Sequence, residues 1–151
     1  MESIRSLLLD FSGRIRRRTW WIANTVLFLL SMLIVYLLQP EIYSIEIDPA
    51  PPTNLAVDIS SLLIAVPLFA LTSKRLNDRN RPRWIFYFIV AIMLPFYIGP
   101  FFNVLEGDSF GGWQGPAWIV FALASIWILI DNGFLPGTSG PNQYGPDPKE
   151  S

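Results

Sequence analysis

The chain of 151 residues is 52% hydrophobic and only 15% charged, with a mean hydropathy of +0.39, which is too apolar for an ordinary soluble domain of this length and points to a membrane class. The net charge of -1 hides a segregation, because the basic and acidic residues occupy different segments. Cysteine and histidine are both absent; this excludes disulfides, thiolate nucleophiles, cysteine-ligated metals and imidazole acid–base chemistry, and leaves any reaction to Asp, Glu, Tyr, Ser, Lys or Arg.

The first stretch, "LDFSGRIRRRTWW", places Arg14, Arg17 or Arg18, and Trp21 at helical spacing, which predicts a basic stripe leading into an aromatic anchor. The 22 uncharged residues between Arg18 and Glu41 then exceed the roughly 20 that a helix needs to cross the hydrocarbon layer, and predict a span over 19–38. "YLLQPEIYS" offers no small-residue cleavage site, so the segment reads as a retained span rather than a secretory signal. A second span over 55–72 rests on 15 uncharged residues after Asp58, whose carboxylate is tolerable in the first turn, near the positive end of the helix dipole and the headgroup layer. The loop "SKRLNDRNRPRW" follows. Uncharged runs Trp84–Leu105 and Ser109–Ile130 predict spans over 84–102 and 116–134, and Pro67 and Pro95 are expected to kink their helices. Asp131 falls in the last turns of the fourth span, where an inner-face arginine can neutralise it. The tail 135–151 carries Gly137, Gly140 and Gly145 among four prolines, which ends the fourth helix. Composition favours a flexible tail; the alternative is an ordered cap built on Asn142, Tyr144 and Asp147, its carboxylate meeting the basic loops.

Cations decide the threading. Arg5, Arg14, Arg16, Arg17 and Arg18 precede the first span, and Lys74, Arg75, Arg79, Arg81 and Arg83 lie between the second and third. The loops "EIYSIEIDPAPPTN" and "NVLEGDSFGGWQG" hold only acids, so the positive-inside rule puts them outside and both termini in the cytoplasm. The expected architecture is therefore all-α: one integral membrane domain, 1–151, with four transmembrane helices. Trp20, Trp21 and Trp84 then mark the inner interface and Trp113 and Trp118 the outer one, while Trp127 falls within the bilayer.

Topology alone accounts for most of the basic loop, and cations that hug membrane boundaries argue against nucleic acid as a partner. Asp78 is superfluous for topology. It stands three residues from Arg75 and from Arg81, and if helix persists it can pair with either. On a solvated surface such a pair stabilises by only about 0–1 kcal/mol, which suggests positioning more than stability. The arginines before the first span serve as an inside anchor or an anionic-lipid grip, each gaining about 1 kcal/mol from the leaflet's surface potential.

Three stretches, "FSGRIRRRTWW" at 11–21, "KRLNDRNRPRW" at 74–84 and "LPGTSGPNQYGPDP" at 135–148, resemble in order and spacing the small bacterial inner-membrane proteins grouped as the domain of unknown function 805 family. Phe11, Gly13, Arg14, Arg17 and Trp21 match the first motif; Arg75, Leu76, Asp78 and Arg81 the second; Pro136, Gly137, Gly140, Asn142, Tyr144, Gly145 and Asp147 the third. Asn77 departs from a usual histidine, Pro82 and Arg83 from small residues, and Gln143 from a basic one. The resemblance implies a multi-pass protein of the bacterial inner (plasma) membrane with no established activity.

Topology puts all three motifs on one face, so the expected site is a polar cluster of Arg14, Arg17, Arg75, Asp78, Arg81, Asn142, Tyr144 and Asp147. The leading functional expectation is a non-enzymatic protein, without metal or cofactor, whose inner face binds anionic lipid or a protein partner. A small oligomeric transporter or channel using Asp58 or Asp131 comes second. An enzyme acting on lipid-linked substrate through Asp78, Tyr144 or Asp147 comes last, since no nucleophile–base pair is evident.

Overall fold

The computed structural model describes residues 4–43, 54–102 and 114–149. The two loops expected outside lie largely beyond these residues, as do Trp113 and the last two residues of the tail. The described fold is all-helical: α1 (Ile4–Leu9), α2 (Arg17–Leu38), α3 (Leu55–Asp78), α4 (Arg83–Ile98) and α5 (Gln114–Ile128), with 3-10 turns at Pro40–Tyr43 and Gly99–Phe102. A wide π-turn, Leu129–Phe134, extends α5. Counting these extensions, four helices are long and apolar enough to cross a membrane: Arg17–Leu38, Leu55–Asp78, Arg83–Phe102 and Gln114–Phe134.

Local chemistry sets the boundaries. α2 closes where the Gln39 N–H donates to the Val35 carbonyl at 2.8 Å and Pro40, which has no N–H to continue the ladder, follows. Asn54 caps α3 by accepting from the Ala56 N–H at 3.0 Å, and its amide donates to the Leu38 carbonyl at 2.9 Å, tying the end of α2 to the start of α3. At its other end α3 terminates in a Schellman motif: Asn80 adopts φ 55°, its N–H donates to the Asn77 carbonyl and the Arg81 N–H reaches back to Leu76. Pro82 then starts α4. Pro67 and Pro95 sit inside α3 and α4 without ending either helix.

The bundle is inverted relative to a soluble protein. Along α2, Ile22, Val26, Phe28, Leu29, Leu33 and Leu37 are exposed, a continuous oily surface that belongs against lipid rather than water. The buried apolar clusters are small: Ile15, Trp20, Leu27 and Leu71 in one, Leu76, Ile89 and Met93 in the other. The largest fully buried side chains are Arg75 and Lys74. Between hydrocarbon-facing helices apolar burial supplies little drive for association, so close packing and interhelical polar contacts must hold them.

At Asn80 only glycine and asparagine adopt the left-handed conformation cheaply. Asn80→Ala should therefore lower stability by about 1 kcal/mol while Asn80→Gly leaves it nearly unchanged, as measured by thermal unfolding in detergent micelles.

Candidate functional site

All three motif stretches meet at the end of the bundle where α2 begins, α3 ends and α5 runs into its π-turn. Asp78 is the centre. It closes α3, its Oδ1 accepts from Arg14 Nε at 3.1 Å and its Oδ2 from Arg75 Nη1. The Asp78 carbonyl takes both the N–H and the hydroxyl of Thr138, each at 2.9 Å. The residue pairs on both sides of the carboxylate are almost completely buried. The Arg75–Asp78 pair expected on a solvated surface is instead interior, because the tail folds over it. Burial changes the energetics: removing one partner from a buried pair costs about 3–5 kcal/mol, since it strands an uncompensated charge.

Arg14 does not continue a helical stripe into Trp21, as the spacing predicts. Gly13, at φ 81°, turns the chain before α2, and Arg14 instead enters the cluster. Beyond Asp78 it donates to the carbonyls of Thr138 at 2.7 Å, Gly140 at 2.7 Å and Gly145 at 3.2 Å. One guanidinium thus gathers three turns of the tail.

A second hub is Asp131, 2% exposed, in the π-turn. Arg79 meets it bidentately, Nε and Nη2 each at 3.1 Å, and Arg81 adds a third donor. Arg81 therefore pairs with Asp131 and not with Asp78: the Schellman reversal at Asn80 takes it off the α3 face on which i,i+3 spacing would have placed it. Arg79, which the motif comparison did not single out, is as central to this hub as Arg81.

The end of the π-turn and the two residues after it present a row of carbonyls, and basic or indole donors satisfy five in succession. Asn132 receives Arg75 Nε at 2.8 Å, Gly133 receives Trp21 Nε1 at 2.9 Å, Phe134 receives Arg17 Nη1 at 2.8 Å, Leu135 receives Arg75 Nη2 at 2.6 Å, and Pro136 receives Arg79 Nη1 at 2.7 Å. Close approach is required here. A Cβ on Gly133 would stand 2.9 Å from the Trp21 ring, and one on Gly137 would overlap the Asp78 carboxylate.

The tail is ordered, against the flexible state its composition favours. Asn142 donates its amide to the Asn77 carbonyl at 3.0 Å and accepts the Tyr144 N–H at 2.8 Å; the Tyr144 hydroxyl donates to the Arg81 carbonyl at 2.6 Å. Asn77, where the resemblance leads one to expect histidine, donates to the Gly13 carbonyl at 3.0 Å. The Asp147 carboxylate accepts from backbone amides of its own tail, Gly140 and Lys149, each at 2.9 Å, rather than from the basic loops. Those bonds, Lys149 first and then Gly140, hold its pKa below the ordinary carboxylate value. Of the remaining predicted residues, Asp58 is half-buried near the start of α3, at the other end of that helix from Asp78. Asp131 belongs to the cluster. Among the described residues no group of His, Cys, Asp and Glu is arranged to hold a metal ion.

The sequence profile of a family described as "Protein of unknown function (DUF805)" matches residues 8–146, which include nearly all of this cluster. The chain belongs to that family. It is also 33% identical over 150 residues to the uncharacterized protein YiiR of Escherichia coli strain K12, an alignment covering 98% of this chain and 92% of the relative, and equally to YiiR of Escherichia coli O157:H7. No solved structure matches it. In this DUF805 chain the matched stretches are distant in sequence and adjacent in space, and Asp78, Arg14 and Arg75 join them.

Two outcomes follow. Gly137→Ala should destabilise the protein by an amount comparable to Asp78→Ala, about 3–5 kcal/mol by thermal unfolding in micelles, because both disrupt the same buried pair. Since the folded pKa of Asp147 is depressed, its contribution to tail order is complete above about pH 4 and is lost as pH falls through the lower folded value. The Gly140 and Lys149 amide resonances should report that titration, with a midpoint below 3.8.

Proposed function

We propose that this chain is a multi-pass protein of the bacterial inner membrane, both termini cytoplasmic, whose arginine-rich inner face binds anionic lipid headgroups without catalysing a reaction. One observation carries the reading: each buried carboxylate hub answers two arginines, Asp78 to Arg14 and Arg75 and Asp131 to Arg79 and Arg81. The cluster thus retains a positive surplus, and exposed Arg16, Arg17 and Arg18 add to it. Fixed positive charge at the level where a span enters the membrane attracts the anionic leaflet. An acidic protein partner would meet the same surface and is the competing outcome.

Transport is less well supported. Asp131 is neutralised by two arginines and Asp58 lies at the opposite end of α3, so no chain of ionisable groups joins the two ends among the described residues.

Lipid analysis after purification in mild detergent from a membrane of mixed composition should show anionic headgroups enriched over the bulk, with enrichment lost when Arg16, Arg17 and Arg18 become glutamine. Co-purifying lipid identical to the bulk, together with a stoichiometric protein, would overturn the reading. As the chain has no cysteine of its own, a single cysteine at Glu46 should react with an external impermeant reagent and one at Arg83 only after permeabilisation.

A further inference from the structure

A cavity of about 250 Å³ opens beside the Asp78 hub, where the start of α2 faces the tail. Its exposed lining cations are Arg16, Arg17, Arg18 and Lys149, and Pro136, Gly137 and Thr138 line it as well. The cavity also touches two carboxylates, and both are engaged: Asp78 by Arg14 and Arg75, and Asp147 by the backbone amides of Gly140 and Lys149. Arg17 spends one donor on the Phe134 carbonyl, and Arg16 is held to the Pro148 carbonyl. Arg18 has no hydrogen-bond or ion-pair partner among the described residues. The first turn of α2 holds no acidic residue and its cap residue, Arg16, offers no side-chain acceptor, so the positive end of the helix dipole adds to the same sign.

We infer that this cavity is a binding site for a phosphate group presented at the membrane surface. The inference rests on the headgroup reading above and assigns that reading a specific place and chemistry. Arginine forks pair bidentately with phosphate as they do with carboxylate, and a phosphate group offers more acceptor oxygens than a fatty-acid carboxylate to several cations at once. The volume lies just under the roughly 300–1,000 Å³ of sites that enclose a whole drug-sized ligand, and so suits a headgroup fragment. The first residues of α2 lie where its hydrocarbon-spanning stretch begins, so a lipid phosphate reaches the cavity while its acyl chains stay beside α2. A soluble phosphate would satisfy the same donors.

Native mass spectrometry of the full chain in detergent tests this with phosphatidic acid, phosphatidylglycerol, a fatty acid lacking phosphate, and inorganic phosphate alone. The two phosphate lipids should be retained and the fatty acid not. Retention should weaken by about tenfold or more in the double variant Arg18→Gln, Lys149→Gln, whose side chains are exposed, and hold in Arg83→Gln, which is basic but outside the cavity. Retention of inorganic phosphate alone would identify a soluble source for the same site; retention of the lipids only would identify the leaflet. If lipid is retained equally by the double variant, or lost equally from Arg83→Gln, the cavity assignment fails and the general headgroup reading survives. If no anionic lipid is retained by the unaltered chain, both fail.

Discussion

A guanidinium removed from water must be given back its charge partner and its hydrogen bonds. Taking such an ion out of water costs several kcal/mol, and only good geometry recovers it. This requirement organises the charged end of the DUF805 chain. Arg75 is 1% exposed, and each of its nitrogens has an acceptor: Asp78 for one, the Asn132 and Leu135 carbonyls for the others. Arg14 makes the same demand from the opposite side of Asp78 and meets it with tail carbonyls. The tail supplies acceptors to the arginines, and the arginines supply the tail with an order it has no apolar content to generate.

The same accounting explains why the helices and the tail cannot be considered apart. A π-turn at the end of α5 frees carbonyls that water would normally take, and they point instead at cations from α3 and from the start of α2. Three spans and the chain's last segment are thereby joined at one end, while the hydrocarbon-facing length of α2 keeps almost no buried side chains. A bundle held in this way is well suited to present a fixed array of cations at a membrane boundary, which is the basis of the headgroup reading.

How much of this was legible in the sequence follows from the range of each interaction. The four long helices were legible because uncharged runs bounded by charged residues need no partner to be recognised. The extension of α3 to Asp78 was foreseen only as a condition, and the burial of its ion pair not at all, because the covering residues lie about sixty positions away. Helical spacing allowed Arg81 to pair with Asp78 only on the condition that helix persists; the run Asn80, Arg81, Pro82 carries the signal that the helix has already ended. The tail's order stood only as the alternative for the same physical reason, since Gly- and Pro-rich composition describes its own weak preferences and not donors such as Arg14, more than a hundred residues upstream. Arg79 resembled one more topogenic cation until Asp131 faced it.

Amide hydrogen exchange across residues 137–147, read by mass spectrometry on the protein in lipid nanodiscs, bears most directly on the Asp78 hub as the clasp that orders the tail. The amides of Thr138, Gly140 and Tyr144 are hydrogen-bonded, so they should exchange slowly in the unaltered chain and at nearly unprotected rates in Asp78→Asn, with the middles of α2 and α4 equally protected in both. A tail that exchanges freely in the unaltered chain, or that stays protected when Asp78 loses its charge, would contradict the account.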